Sequence, residues 1–160
     1  MAIPLFDSAN WLAPLRERFD EAIARVLDRG VFVLGPELRS FEEEFAAYLG
    51  VTNVIGVGNG TDAITLALRA LGVGAGDEVV VPSFTFYASA EAILPTGARP
   101  VFCDVDADTF CVTAETVKAA LTPATKAIVA VDLFGNPVPA DELLALGLPV
   151  IEDAAQGAGS

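Results

Sequence analysis

Apolar residues Leu12, Leu15, Phe19, Ile23, Val26 and Leu27 recur at steps of three and four, the period of an amphipathic helix. They predict a helix over residues 12–27, closed by Arg29 and Gly30. A second helix is expected after Gly35, with Pro36 in its first turn, where a missing N–H costs nothing. Leu38, Phe41, Phe45 and Leu49 form its apolar face, and Gly50 stops it. From Val51 the pattern changes to short β-branched runs, which predict strands at 53–57, 78–81, 100–103, 127–131 and 149–151. Helical stretches fill the gaps at 62–71, 85–94, 114–121 and 140–146, each closed by Gly or Pro. The runs VVV and AIVAV are apolar throughout, as in parallel strands covered on both faces. Alternation of strand and helix predicts an α/β fold: a mostly parallel, doubly wound sheet with right-handed crossovers. Two parts are expected, a helical segment over 1–50, packing on the sheet or on another subunit, and the sheet-bearing part over 51–160. The last run, LPVIEDAAQ, reads as an interior strand with no covering helix after it. A sheet ending there would leave an edge or face bare, so the chain is expected to be part of something longer.

Composition narrows the chemistry. Nine Lys and Arg stand against 22 Asp and Glu in 160 residues, a formal charge of −13, and there is no His. Such a charge repels phosphate backbones, which argues against nucleic acid as a partner. The lack of His removes imidazole as metal ligand, general base or triad member. No apolar run approaches the roughly 18 residues of a membrane span. Cys103 and Cys111, with seven residues between them, fit no zinc spacing, and no signal-like segment opens the chain. Free core thiols, no metal and a reduced, cytoplasmic setting are expected.

Ligands of doubly wound sheets bind at the carboxyl ends of the strands. After the first predicted strand comes Gly56-Val57-Gly58-Asn59-Gly60-Thr61-Asp62, leading directly into a helix. It has the form of a phosphate cradle, in which glycines let the backbone approach and the first-turn N–H groups favour an anion. It equally fits a tight turn with Thr61 or Asp62 as helix cap. A dinucleotide fingerprint fails: Thr61 stands where a third glycine belongs, and no acidic residue closes the second strand, which ends in Val81-Pro82-Ser83. Phosphate on a ligand other than NAD is favoured. The aromatic cluster Ser83-Phe84-Thr85-Phe86-Tyr87 follows the second strand and could stack on a planar ligand or belong to the core. In Val150-Ile151-Glu152-Asp153-Ala154-Ala155-Gln156, an Asp among apolar neighbours should face a cation or strong donor, unless it caps a helix. The two-residue pleat sends Glu152 to the opposite face. Phosphate cradle, stacking ring and carboxylate at one sheet edge describe a pocket for pyridoxal phosphate, whose ring nitrogen a carboxylate keeps protonated.

The stretches IPLFD, GVFVLGPEL, FEEEFAAYLGV, GVGNGTDAITLALRALGVGAGDEVVVPSFTFYAS, GARPVFCDVDADTF, TPATKAIVAVDLFGNP and VIEDAAQGAG together resemble the DegT/DnrJ/EryC1/StrS sugar aminotransferases. These are pyridoxal-phosphate enzymes of the aspartate-aminotransferase fold type that aminate nucleotide-linked keto sugars, some relatives dehydrating the sugar instead. The resemblance implies a truncated large domain of that fold, pyridoxal 5'-phosphate as cofactor, an amino donor such as glutamate, and a homodimer in the intact protein. It also implies that Gly60 and Thr61, with Asp62 beside them, hold the cofactor phosphate. Phe86 would stack on the pyridine ring, Asp153 pair with its nitrogen, and Gln156 contact its phenolic oxygen. The family's Schiff-base lysine follows the EDAAQ segment, so no catalytic residue is assigned within these 160 residues. Lys118, on the polar side of a predicted helix, and Lys126, at a strand entrance, are expected to be solvated surface residues. The fragment alone is expected to be inactive. A non-catalytic nucleotide- or phosphate-binding module is the alternative. The short stretch 139–148 predicts an abbreviated or irregular crossover.

Overall fold

The structure, a computed structural model, describes residues 8–160; the IPLFD stretch lies outside them. They divide into two compact units, one ending at Gly56 and the other formed by Val57–Ser160.

The first unit holds α1 (Ala9–Leu12), a 3-10 turn (Ala13–Leu15), α2 (Arg16–Arg29) and α3 (Pro36–Leu49). Where the apolar period predicts one helix, Pro14 sits in the 3-10 turn. Proline has no N–H for the α-helical ladder and its ring crowds the preceding turn, so regular α-helix resumes only at Arg16. Gly30 and Gly50 end α2 and α3 at φ +66° and +67°, left-handed conformations that favour glycine. Arg29 Nη1 pairs with Glu37 Oε1 at 2.7 Å, linking the two helices. Residues 53–57 form no strand, contrary to their β-branched pattern. A strand needs a ladder partner, and among the described residues this segment has none; Ile55 is 80% exposed, and the Gly56 N–H is taken instead by Glu42 Oε1 at 2.8 Å.

The second unit is built on four parallel strands, β1 (Glu78–Pro82), β2 (Arg99–Cys103), β3 (Thr125–Val131) and β4 (Val150–Asp153), in the order β2-β1-β3-β4. Between them run α4 (Gly60–Ala70), α5 (Ala88–Glu91), α6 (Ala114–Ala120) and α7 (Ala140–Leu144), with 3-10 turns at Leu94–Thr96 and Leu133–Gly135. The uninterrupted apolar runs follow from burial on both faces. Val79 and Val81 of β1 and Val129 and Val131 of β3 pack with Ile64 and Leu68 of α4 and with Ile93. Val80, Ile128 and Ala130 point the other way, onto Val117 of α6 and Leu143 of α7. The five-residue α7, stopped by Gly147 at φ +78°, is the short crossover that the sequence predicts. The helix expected at 85–94 is reduced to Ala88–Glu91, so Ser83–Phe86 remain as a loop at the carboxyl end of β1.

Leu68 is fully buried on α4 whereas Leu66, on the same helix, is half exposed. Leu68→Ala is expected to cost about 2–5 kcal/mol in denaturant unfolding, and Leu66→Ala about 1 kcal/mol or less.

Candidate functional site

The N-terminus of α4 is arranged to leave donors free. Asn59 has extended backbone and caps the helix: its Oδ1 accepts the Asp62 N–H at 2.8 Å, and its carbonyl accepts the Ala63 N–H at 3.1 Å. The cap is therefore neither Thr61 nor Asp62. Its sequence signal is an Asn three residues before an acidic first-turn residue, set between the glycines Gly58 and Gly60. Among the described residues no acceptor takes the N–H groups of Gly60 and Thr61 or the Thr61 hydroxyl. These three donors stand at the positive end of the helix dipole.

Beside them, at the carboxyl ends of β1, β3 and β4, lies a cavity of about 300 Å³. Gly60, Thr61, Phe86, Asp153 and Gln156 all line it, with Ile64, Ala88 and Val131 as apolar floor and wall. Asp62 is the exception among the sequence-predicted site residues. Its carboxylate accepts from Asn59 Nδ2 at 2.9 Å, and it lines a neighbouring depression that Arg69 and Glu91 share. Asp62 stands beside the turn that carries these free donors but outside the cavity.

Asp153 is the single ionisable side chain lining the cavity among the described residues. Its Oδ1 accepts the Ala155 N–H at 3.3 Å and its Oδ2 accepts the hydroxyl of Ser89 at 2.9 Å. The sequence reading missed Ser89, since nothing local marks a serine 64 residues upstream as its partner. Gln156 is oriented from behind. Its Oε1 accepts the Phe134 N–H at 2.8 Å, which leaves the Nε2 amide protons as the end free to donate. Phe134 reaches that geometry at φ +58°, a left-handed conformation costing a bulky side chain about 1–3 kcal/mol. Phe86 is 65% exposed, and Tyr87 meets its ring edge-on at 4.8 Å between centroids.

Glu152 lies across the sheet from Asp153, as the pleat requires, near the fully buried Asp132. Asp132 Oδ1 accepts the Val138 N–H at 3.0 Å. Burial first, and the Asp132 carboxyl second, push Glu152 above the usual carboxylate range. Burial also pushes the Cys103 thiol up to about 11, so it is protonated near neutrality, and Cys111 Sγ donates to the Asn136 carbonyl at 3.3 Å. Lys118 and Lys126 are exposed, Lys126 at the opposite end of β3 from the cavity. No helix among the described residues is long and apolar enough to cross a membrane.

Residues 14–160 match the model of the DegT/DnrJ/EryC1/StrS aminotransferase family. The chain belongs to that family. A relative from Acidithiobacillus ferrooxidans, UDP-N-acetyl-3-dehydro-alpha-D-glucosamine 3-aminotransferase, is 48% identical over 99% of this chain. Among solved structures, DesV of S. venezuelae superimposes with a TM-score of 0.94 at 46% identity, covering 98% of the chain. NtdA of Bacillus subtilis, solved with bound cofactor PMP, gives a TM-score of 0.84 at 38% identity over 89% of the chain. The chain spans 44% of the A. ferrooxidans protein, 43% of the DesV chain and 34% of the NtdA chain.

The direction of the Glu152 shift fixes a pH dependence. A carboxyl whose folded pKa is raised contributes stability that is complete below its unfolded value, near 4.5, and is lost as pH rises through the folded value. Glu152→Gln is therefore expected to be more stable than wild type at pH 7 and indistinguishable from it near pH 4, as read by denaturant unfolding at both.

Proposed function

We propose that this chain is the cofactor-binding N-terminal portion of a pyridoxal-phosphate-dependent aminotransferase acting on a nucleotide-linked keto sugar. The observation that carries the reading is the complementarity of one cavity. A helix start with three free donors, an exposed ring after β1, and an ionisable carboxylate and an amide at the end of β4 line it together.

These groups fit the cofactor part by part. The N–H groups of Gly60 and Thr61 and the Thr61 hydroxyl would hold the phosphate, with the α4 dipole behind them. Phe86 would cover one face of the pyridine ring and keep water from it. Asp153 would accept the ring N–H and keep that proton on the ring nitrogen. Gln156 would donate its free amide protons to the phenolic oxygen. When bound, the cofactor supplies an electron sink for carbanion chemistry at the amine it carries. Lys118 and Lys126 are offered no role in that chemistry, and the chain's contribution is the non-covalent bed.

The name of the A. ferrooxidans relative supports a UDP-linked keto sugar as substrate class, and the bound PMP of NtdA supports the cofactor. An amino donor such as glutamate and a homodimeric whole protein complete the reading.

Pyridoxamine 5'-phosphate needs no lysine to bind, so it is the probe of choice for this chain. It is expected to stabilise the fold by about 2.7 kcal/mol at a hundredfold excess over Kd, while uridine monophosphate at equal concentration does not. Thr61→Val, which keeps shape and loses the hydroxyl, is expected to weaken binding roughly tenfold or more, the worth of a hydrogen bond to a charged group. The purified chain should show no transaminase turnover. Equal stabilisation by the nucleotide, or none by pyridoxamine phosphate, would overturn the reading.

A further inference from the structure

We infer that Ser89, held in turn by Thr85, is a positioning residue that fixes the Asp153 carboxylate as a pure acceptor toward the cavity. The inference rests on the proposed role of Asp153 and adds to it a device for selecting the ligand's protonation state.

Ser89 is 1% exposed, so its hydroxyl finds its partners inside the protein. Its Oγ lies 2.9 Å from Asp153 Oδ2 and 3.1 Å from Thr85 Oγ1. The directions of these bonds follow from counting protons. An ionised carboxylate has none to give, so Ser89 donates to Asp153. A serine hydroxyl has a single proton, so toward Thr85 it can only accept, and Thr85 is the donor. Every proton in the series Thr85, Ser89, Asp153 therefore points at the carboxylate. The Ala155 N–H holds Oδ1 in the same sense.

Both oxygens are thus pinned by donors, which fixes the rotation of the carboxylate as well as its acceptor character. Such a group welcomes a ligand N–H and opposes a ligand lone pair. A pyridine ring would be bound with its nitrogen protonated in preference to the free base. Thr85 lines the same cavity, so the series is anchored at the cavity wall at both ends.

The test uses pyridoxamine 5'-phosphate labelled with 15N in the ring, bound to the purified chain and titrated with pH by NMR. In wild type the ring nitrogen is expected to stay protonated to higher pH than in free solution. Ser89→Ala should bring the ring titration back by about one pH unit and weaken binding about tenfold, the effect of one hydrogen bond to a charged group. Thr85→Val should move both readouts the same way by less, and Ser89→Thr, which keeps the hydroxyl, should restore them. Unfolding curves of each variant separate these effects from loss of fold. Asp153→Asn provides the control. If it lowers affinity and abolishes the elevated titration while Ser89→Ala and Thr85→Val behave as wild type, the inference is overturned and the reading of the site stands. If Asp153→Asn changes neither readout, the reading of the site fails and the inference falls with it.

Discussion

Four strands running in one direction bring all their carboxyl ends to one edge, and burial of the two central strands, β1 and β3, on both faces holds that edge in place. The alternation of Val79, Val80 and Val81 between two apolar layers holds β1 from both sides, and Ile128 and Val129 do the same for β3. Side chains just beyond such strands inherit that fixity, because the backbone they hang from cannot shift without disturbing two cores at once. Phe86 and the Asp153–Gln156 tract are far apart in sequence, yet they line one cavity because the ladder sets the spacing of the strands that deliver them.

The edge also stores strain. Phe110 and Phe134 adopt left-handed backbone conformations at φ +61° and +58°, which bulky residues seldom do. Their rings meet each other at 5.9 Å and both meet Phe84, at 5.8 and 6.4 Å. Aromatic contacts of this kind contribute about 0.5–1.5 kcal/mol each, enough to offset much of the backbone cost. In return the Phe134 N–H reaches Gln156, so backbone strain in one loop settles which end of an amide in another is presented to the cavity.

Much of this was legible in the chain because burial and pleat leave direct marks. The apolar runs identified β1 and β3, and the two-residue pleat separated Asp153 from Glu152. Other features depend on partners that local pattern does not specify. Residues 53–57 have the composition of a strand but no neighbour to pair with among the described residues. Pro14 interrupts a helix whose apolar period runs through it. The helix expected at 85–94 is cut back at its start, where Thr85 turns its hydroxyl to Ser89 instead. Donor direction at Ser89 is a tertiary property that appears only once the two segments are in place.

Between Asp153 and Gly157 the chain has no slack. Asp153 is held by the Ser89 hydroxyl, and Gln156 is tied to Phe134 three residues later. Gly157 then passes so close to Asp132 that an added Cβ would lie 2.5 Å from the Asp132 Cβ. With three successive anchors, the tract works as a covalent ruler whose length matters as much as its lettering. An insertion or deletion within this interval would pull at least one of the three anchors out of place, whereas a substitution can leave all three where they are.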